Sequence, residues 1–269
     1  NSRTPNTLKG DLFAQIAAGK MGAKRMSELA NNYGLKNLKD GINSLLDYTE
    51  KLTRAEIQKI PDGKYKFEDW VDNDGSLESD KPLKIAVEME IKKSNIHFDF
   101  TGTSSQVKTA INNVPSSATS AVMFGIRTLT GDASPDNEGG FRPVSIYFPE
   151  GSIVNPYFPA PVASRSVSLR RVVDVILGVL SKALPKKYPA ANCGQASVIY
   201  CGTNNEITNE TIVGAIGGPW MGGMGARPNK DGIDATDHDA SNVYHVPLEV
   251  SEAELPIRFN RMELWMDSG

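Results

Sequence analysis

LKIAVEMEIKKSNIHFDF, residues 83 to 100, decides the fold class. Leu83, Ile85, Val87, Met89 and Ile91 take alternate positions, a KKSN turn follows, and Ile96, Phe98 and Phe100 resume the pattern. Successive side chains on a strand point to opposite faces, so this spacing predicts an antiparallel hairpin with one buried face. His97 falls on the other face without partner residues beside it, and is given no role.

Upstream the period changes from two to that of a helix. Leu8, Leu12, Ile16, Leu29 and Tyr33 recur at helical spacing, and Gly34 is placed to end the helix. Leu38, Ile42, Leu45, Leu46 and Leu52 continue a second pattern towards Ile60, where Pro61, Asp62 and Gly63 make a turn. Residues 1–62 therefore read as a helical hairpin region whose task is packing.

Downstream, Pro115 introduces a helix through Ala118, Val122 and Leu129, and a loop leads to the strand VSIYF at 144–148. Val172, Val175, Ile176, Val179 and Leu180 mark a buried helix that stops before Pro185. Short strands are expected at 197–201 and 211–216, with the last strands near 243–250 and 257–265. Helices and strands cluster instead of alternating, so the class is α+β: the hairpin region, then a 63–269 core with a mixed, mainly antiparallel sheet and packed helices.

The chain has 269 residues, which at roughly 100–200 per domain means one large unit or two smaller ones with a sizeable core. Its 29 Lys and Arg against 32 Asp and Glu leave a net charge of −3 with no like-charge block. That excludes the electrostatic footprint of a nucleic-acid or anionic-membrane binder. Cys193 and Cys201 have neither disulfide-scaffold density nor zinc-site spacing, and read as reduced thiols of a cytoplasmic protein. No apolar run approaches the ~18 residues of a membrane span, and the first residues do not form a signal peptide. The phosphate loop GxxxxGK[ST], a strand-linked GxGxxG, the GxSxG elbow and HExxH are all missing, so phosphate-loop nucleotide binding, serine hydrolysis and zincin chemistry lack support.

One chemistry-bearing stretch remains, GGPWMGGMGARPNKDGIDATDHDASN at 217–242. Gly217, Gly218, Gly222, Gly223 and Gly225 surround Trp220, Met221 and Met224. Glycines let a backbone approach a ligand closely and leave N–H groups for an anion. The same residues also suit a tight connection between strands with Trp220 and the methionines filling a hydrophobic gap. Arg227 beside them could clamp a carboxylate or phosphoryl group through two parallel N–H bonds. Asp231, Asp234, Asp237, His238 and Asp239, followed by Asn242, supply the ligand types of Mn²⁺, Mg²⁺ or Zn²⁺, or simply a capped and solvated turn. Neighbouring residues project in different directions, which favours a role behind the first layer of ligands for Asp237, His238 and Asp239.

The ordered series NSRTP…GDLFAQIAA, LLDYTE, PDGKYKFEDWVDNDG, FDFTGTSSQV, FRPVSIYFPEGSIVNPYFPAPVA, RRVVDVILGVL, GGMGARPNKDGIDA and PIRFNRMELWMDSG resembles the hydantoinase B/oxoprolinase family along the whole chain. The resemblance implies part of a large subunit of an ATP-dependent enzyme that opens hydantoin, 5-oxoproline or lactam rings. It implies a hetero-oligomer with a hydantoinase A-type ATPase subunit, which binds ATP and Mg²⁺. Large subunits of acetone and acetophenone carboxylases are similar, so a ketone carboxylase is the alternative, and a non-catalytic structural segment is the second. In both enzyme classes phosphorylation activates an unreactive oxygen, helped by a divalent metal.

The family normally has a longer segment upstream of the NSRTP-like stretch, expected to hold a metal such as Zn or Mn, and glycine-rich sequence beyond the DSG-like stretch. The chain is thus expected to be a central piece, inactive alone. Where the family often shows His-x-His, this sequence has Asp237, His238 and Asp239. The family's GGGxGARPGRDG-like motif falls on the glycine loop and makes it an expected active-site wall. That reading puts Arg227, Asp234, Asp237, His238 and Asp239 in catalytic positions, and Gly217, Gly218, Trp220, Gly222, Gly223, Gly225 and Asn242 against substrate.

Overall fold

The structure is a computed structural model that describes residues 5–77, 80–132, 134–194, 198–204, 211–217, 222–241, 243–244 and 246–264. Helices α1 (Pro5–Tyr33) and α2 (Leu35–Ile57) form the opening helical hairpin. They meet at Gly34, whose φ of 80° lies in the left-handed region that favours glycine. α2 turns Thr49, Thr53 and Ile57 into the molecule, whereas α1 buries none of its residues.

The expected hairpin forms from β2 (Leu83–Lys92) and β3 (Asn95–Asp99), with Ile85, Val87, Met89, Ile91, Ile96 and Phe98 all buried. Lys92 pairs with Asn95 across a tight turn in which Lys93 has a φ of 58°, and Arg54 of α2 holds that turn by donating to the Ser94 carbonyl and Asn95 Oδ1. The hairpin is the middle of a four-stranded sheet. β1 (Gly63–Val71), which the sequence reading passed over, pairs antiparallel with β2, and β4 (Val144–Tyr147) pairs parallel with β3. The sheet is mixed and mainly antiparallel, and the fold is α+β.

In the β1–β2 register Tyr65 faces Met89, Phe67 faces Val87 and Asp69 faces Ile85. Directly paired residues share a face, so β1 presents Tyr65, Phe67 and Asp69 to the core side. On that side lie α3 (Pro115–Thr130) and α4 (Ser166–Ala183), with α4 packed on β1, β2 and α3. Val172, Val175, Ile176, Val179 and Leu180 of α4 join Ile126 and the sheet residues in one hydrophobic core.

Beyond α4 the chain forms two small antiparallel pairs, β5 (Val198–Asn204) with β6 (Thr211–Gly217), and β7 (Gly223–Met224) with β8 (Ile233–Asp234). The strands expected near 243–250 and 257–265 are not formed among the described residues. Leu248–Glu254 is helix α5 instead, with Pro247 as its N-cap residue. Glu249, Glu252, Ala253 and Glu254 are good helix formers after a proline, and they override the short apolar alternation of Val246, Leu248 and Val250. Among the described residues no helix is long and apolar enough to cross a membrane.

Candidate functional site

Helix α4 is buried along an uninterrupted run from Val172 to Ile176, and Asp174 sits in the middle of it with a side chain 4% exposed. A carboxylate in such surroundings requires partners. Arg171, one turn earlier, places Nη1 3.2 Å from Asp174 Oδ2 and donates to Asp69 Oδ2 of β1 at 2.7 Å. The second partner comes from the acidic ladder. His238, with a fully buried side chain, brings Nε2 within 3.1 Å of Asp174 Oδ1. The Ala240 N–H donates to His238 Nδ1 at 3.1 Å, so Nδ1 is the acceptor and Nε2 carries the proton that is given to Asp174.

Asp237 is tied to the same helix. Both guanidinium nitrogens of Arg170 pair with its carboxylate, Nη2 at 3.2 Å from Oδ2, while Ser241 Oγ donates to Oδ2 at 2.6 Å and the His238 N–H to Oδ1 at 2.8 Å. Burial pushes this carboxyl up, but the donors from Arg170, Ser241 and His238 outweigh it and hold it down at about 2. Arg170 and Asp174 stand four residues apart on one face of α4. Two anchors on one helix therefore fix the turn that follows, which the Ser241 N–H closes on the His238 carbonyl at 2.8 Å. The ladder residue left between these anchored positions is Asp239.

Asp239 borders a cavity of about 210 Å³ that also involves Phe67 and Asp69 of β1 and Asp174, Leu177 and Gly178 of α4. Phe67 packs directly on the helix. A Cβ on Gly178 would lie 2.5 Å from Phe67 Cε1, so glycine is what admits the ring. A further wall is Pro189, Ala190 and Ala191. It is held from behind by the glycine hairpin, since Ala190 N–H donates to the Ala226 carbonyl at 2.8 Å and Cys193 N–H to the Gly223 carbonyl at 3.1 Å. A Cβ on Gly225 would stand 2.4 Å from the Ala190 and Ala191 carbonyl oxygens, and one on Gly222 would stand 2.6 Å from Cys193 Sγ. In this segment glycine serves close backbone packing against the cavity wall.

Two larger hollows, of about 670 and 470 Å³, are more open to solvent. The first holds Glu88, whose partners Lys64 and Lys66 keep it at about 2 by direct hydrogen bonds. The smaller cavity is bordered by the buried Asp174 together with the half-buried Asp69 and Asp239, which makes it the candidate site.

The remaining expected site residues are spread out. Arg227 pairs with Lys230 across its own turn, and its Nε and Nη2 donate to the Asp231 carbonyl at 3.2 and 3.0 Å. Asp234 is exposed at the end of β8, opposite Gly223. Gly217 ends β6 opposite Val198. Gly218, Trp220 and Asn242 lie outside the described residues. Sequence reasoning did not single out Asp69, Arg170, Arg171 or Asp174. Their signal was an aspartate inside the apolar helical run of RRVVDVILGVL, and another at an inward position of KYKFEDWV.

The site does not suit a metal ion. Both His238 nitrogens are engaged, and among the described residues no three His, Cys, Asp or Glu side chains are grouped to hold one. The phosphate loop is likewise missing from the sequence.

The family model for Hydantoinase B/oxoprolinase matches residues 1–269. The chain belongs to this family. Among curated members, it is 35% identical to the B-type subunit of a putative D-/L-hydantoinase from Pseudomonas sp. (strain NS671), over 98% of this chain and 45% of that protein. It is 26% identical to the beta subunit of the caprolactamase from Pseudomonas jessenii, over 100% of this chain and 46% of the relative. The 5-oxoprolinase of Dictyostelium discoideum is 28% identical over 100% of this chain and 20% of its own length. The chain thus spans less than half the length of these relatives. The crystal structure of the ATP-dependent caprolactamase from Pseudomonas jessenii shares the family fold, with a TM-score of 0.75 at 23% identity over 94% of this chain and 44% of that one. A nucleotide-free acetone carboxylase structure has a TM-score of 0.68 at 18% identity, over 87% of this chain and 33% of that chain.

Proposed function

We propose that this chain is part of the large subunit of an ATP-dependent cyclic-amide hydrolase, and that the cavity beside Asp174 and Asp239 receives the ring. The observation that carries this reading is the cavity itself. Its volume of about 210 Å³ falls below the roughly 300–1,000 Å³ of drug-sized pockets and suits a small ring, with Phe67 and Leu177 as apolar cover. Asp239 and Asp69 offer carboxylate oxygens to a ring N–H, the donor that hydantoins, 5-oxoproline and lactams have in common. Hydantoinase, caprolactamase and 5-oxoprolinase are the names of its relatives, and two of those relatives are named as subunits.

In this reading a hydantoinase A-type partner supplies ATP and Mg²⁺, which phosphorylate the amide oxygen and so activate the ring carbon towards water and loss of the ring nitrogen, and a divalent metal belongs to other parts of the complete subunit. The residues of this chain orient the ring and exclude water from one side of it. Asp237 and His238 position Asp239, and the glycine hairpin closed by Arg227 supports the wall behind Ala190. The test uses the complete subunit with its ATPase partner, ATP and Mg²⁺. Ring-opened acid and ADP from hydantoin, caprolactam or 5-oxoproline are expected, and none from the 269-residue chain alone. Carboxylation of acetone or acetophenone with bicarbonate, with no ring opened, would replace this reading by the carboxylase one.

A further inference from the structure

We propose that the cavity selects cyclic amides without a negative charge, favouring hydantoins and simple lactams over 5-oxoproline; this rests on the ring-opening reading above. Three carboxylates, Asp69, Asp174 and Asp239, line it, and among the described residues no Lys or Arg side chain does. The guanidinium behind the wall, Arg171, is divided between Asp69 at 2.7 Å and Asp174 at 3.2 Å. Asp174 Oδ2 is buried and accepts no hydrogen bond among the described residues, so the Arg171 charge is its compensation. Asp239 has no hydrogen bond or ion pair among the described residues.

Counting the lining carboxylates and the one cation paired with them, the balance is three negative groups against one positive. An amide N–H gains from that surplus, because a hydrogen bond to an ionised acceptor is roughly twice as strong as a neutral one. A substrate carboxylate loses, since it would enter a low-dielectric space already holding like charge with no cation on its described lining. Enzymes that bind a carboxylate tightly present a guanidinium fork or ammonium to it. Arg227, on the glycine hairpin that backs the wall, spends its fork on the Asp231 carbonyl.

The matched pair 2-pyrrolidone and 5-oxoproline tests this, because the two share a ring and differ by the carboxylate. With the complete subunit and its ATPase partner, kcat/KM for 2-pyrrolidone should exceed that for 5-oxoproline by about tenfold or more. Asp239→Asn, which removes one charge and keeps the shape, should shrink the ratio about tenfold through a gain for 5-oxoproline. Equal or better turnover of 5-oxoproline by the wild-type complex overturns the proposal, as does an unchanged ratio in Asp239→Asn. If neither ring is opened, the ring-opening reading itself fails. Calorimetric binding of both compounds to the complete subunit then still decides on charge: tighter binding of 2-pyrrolidone supports the selection, and 5-oxoproline binding equally well refutes it.

Discussion

His238 Nε2 and Asp174 Oδ1 meet at 3.1 Å inside the core, which fastens a loop far along the chain to the middle of helix α4. Removing the imidazole takes away the hydrogen-bond donor to a buried carboxylate, leaves a cavity and frees the Ala240 N–H. His238→Ala should therefore lose about 2–4 kcal/mol of stability. At roughly 2–4 °C per kcal/mol for a domain of this size, thermal unfolding would show it clearly. A melting point within about 1 °C of wild type would mean that the pair anchors nothing. Metal content should be the same before and after the substitution, because neither ring nitrogen is free to ligate.

The second anchor has a pH signature. Asp237 titrates at about 2 in the folded chain against an ordinary 3.8, so its folded value is depressed and its contribution is complete above the unfolded value. That contribution is lost as pH falls from about 4 through about 2. Asp237→Asn should cost about 1–3 kcal/mol at neutral pH, because Arg170 then loses this countercharge. It should also flatten the fall in melting temperature across that acid window. An equally steep acid limb in the variant would assign the effect to other carboxylates.

The β2–β3 hairpin was legible because every inward position from Leu83 to Phe100 is apolar. β1 was not, and Asp69 shows why: its inward position is acidic because Arg171 of α4 faces it, and that partner is 102 residues away. The parallel β3–β4 pairing is equally invisible locally, since it depends on a long crossover. The site was half legible. Asp237, His238 and Asp239 stood out as a polar ladder, yet their division into two anchors and one cavity residue is imposed by Arg170 and Asp174. Those two were hidden in a helix whose hydrophobic stripe read as packing. At residues 248–254 local helix propensity after Pro247 prevailed over an apolar alternation too short to specify a strand.

Arg227 offers a separable test of the glycine hairpin. Its guanidinium donates twice to the Asp231 carbonyl at an exposed turn, so Arg227→Lys should lower stability by only about 0.5–1.5 kcal/mol. With the fork engaged inside its own turn, kcat/KM of the complete enzyme should change less than about tenfold, or about 1.4 kcal/mol. A hundredfold loss at an unchanged melting point would place the guanidinium on the substrate instead.

Gly178 connects packing to the cavity most directly. Both Gly178 and Phe67 border it, and a Cβ on Gly178 would lie 2.5 to 2.7 Å from three carbons of the Phe67 ring. Atoms do not approach that closely, so Gly178→Ala must displace either α4 or the ring. Moving α4 would strain its contacts with β1, β2 and α3 together, whereas the ring need only turn about its own side-chain bonds towards the cavity. The expected result is an overpacking cost of about 1–3 kcal/mol together with a filled site. In the complete enzyme, KM for a cyclic amide should rise about tenfold or more, and Phe67→Leu, which shortens the obstructing side chain, should restore part of it in the double variant. If Gly178→Ala loses stability but binds ring substrates as the wild type does, this cavity is a packing defect between β1 and α4, and the substrate site must be sought elsewhere.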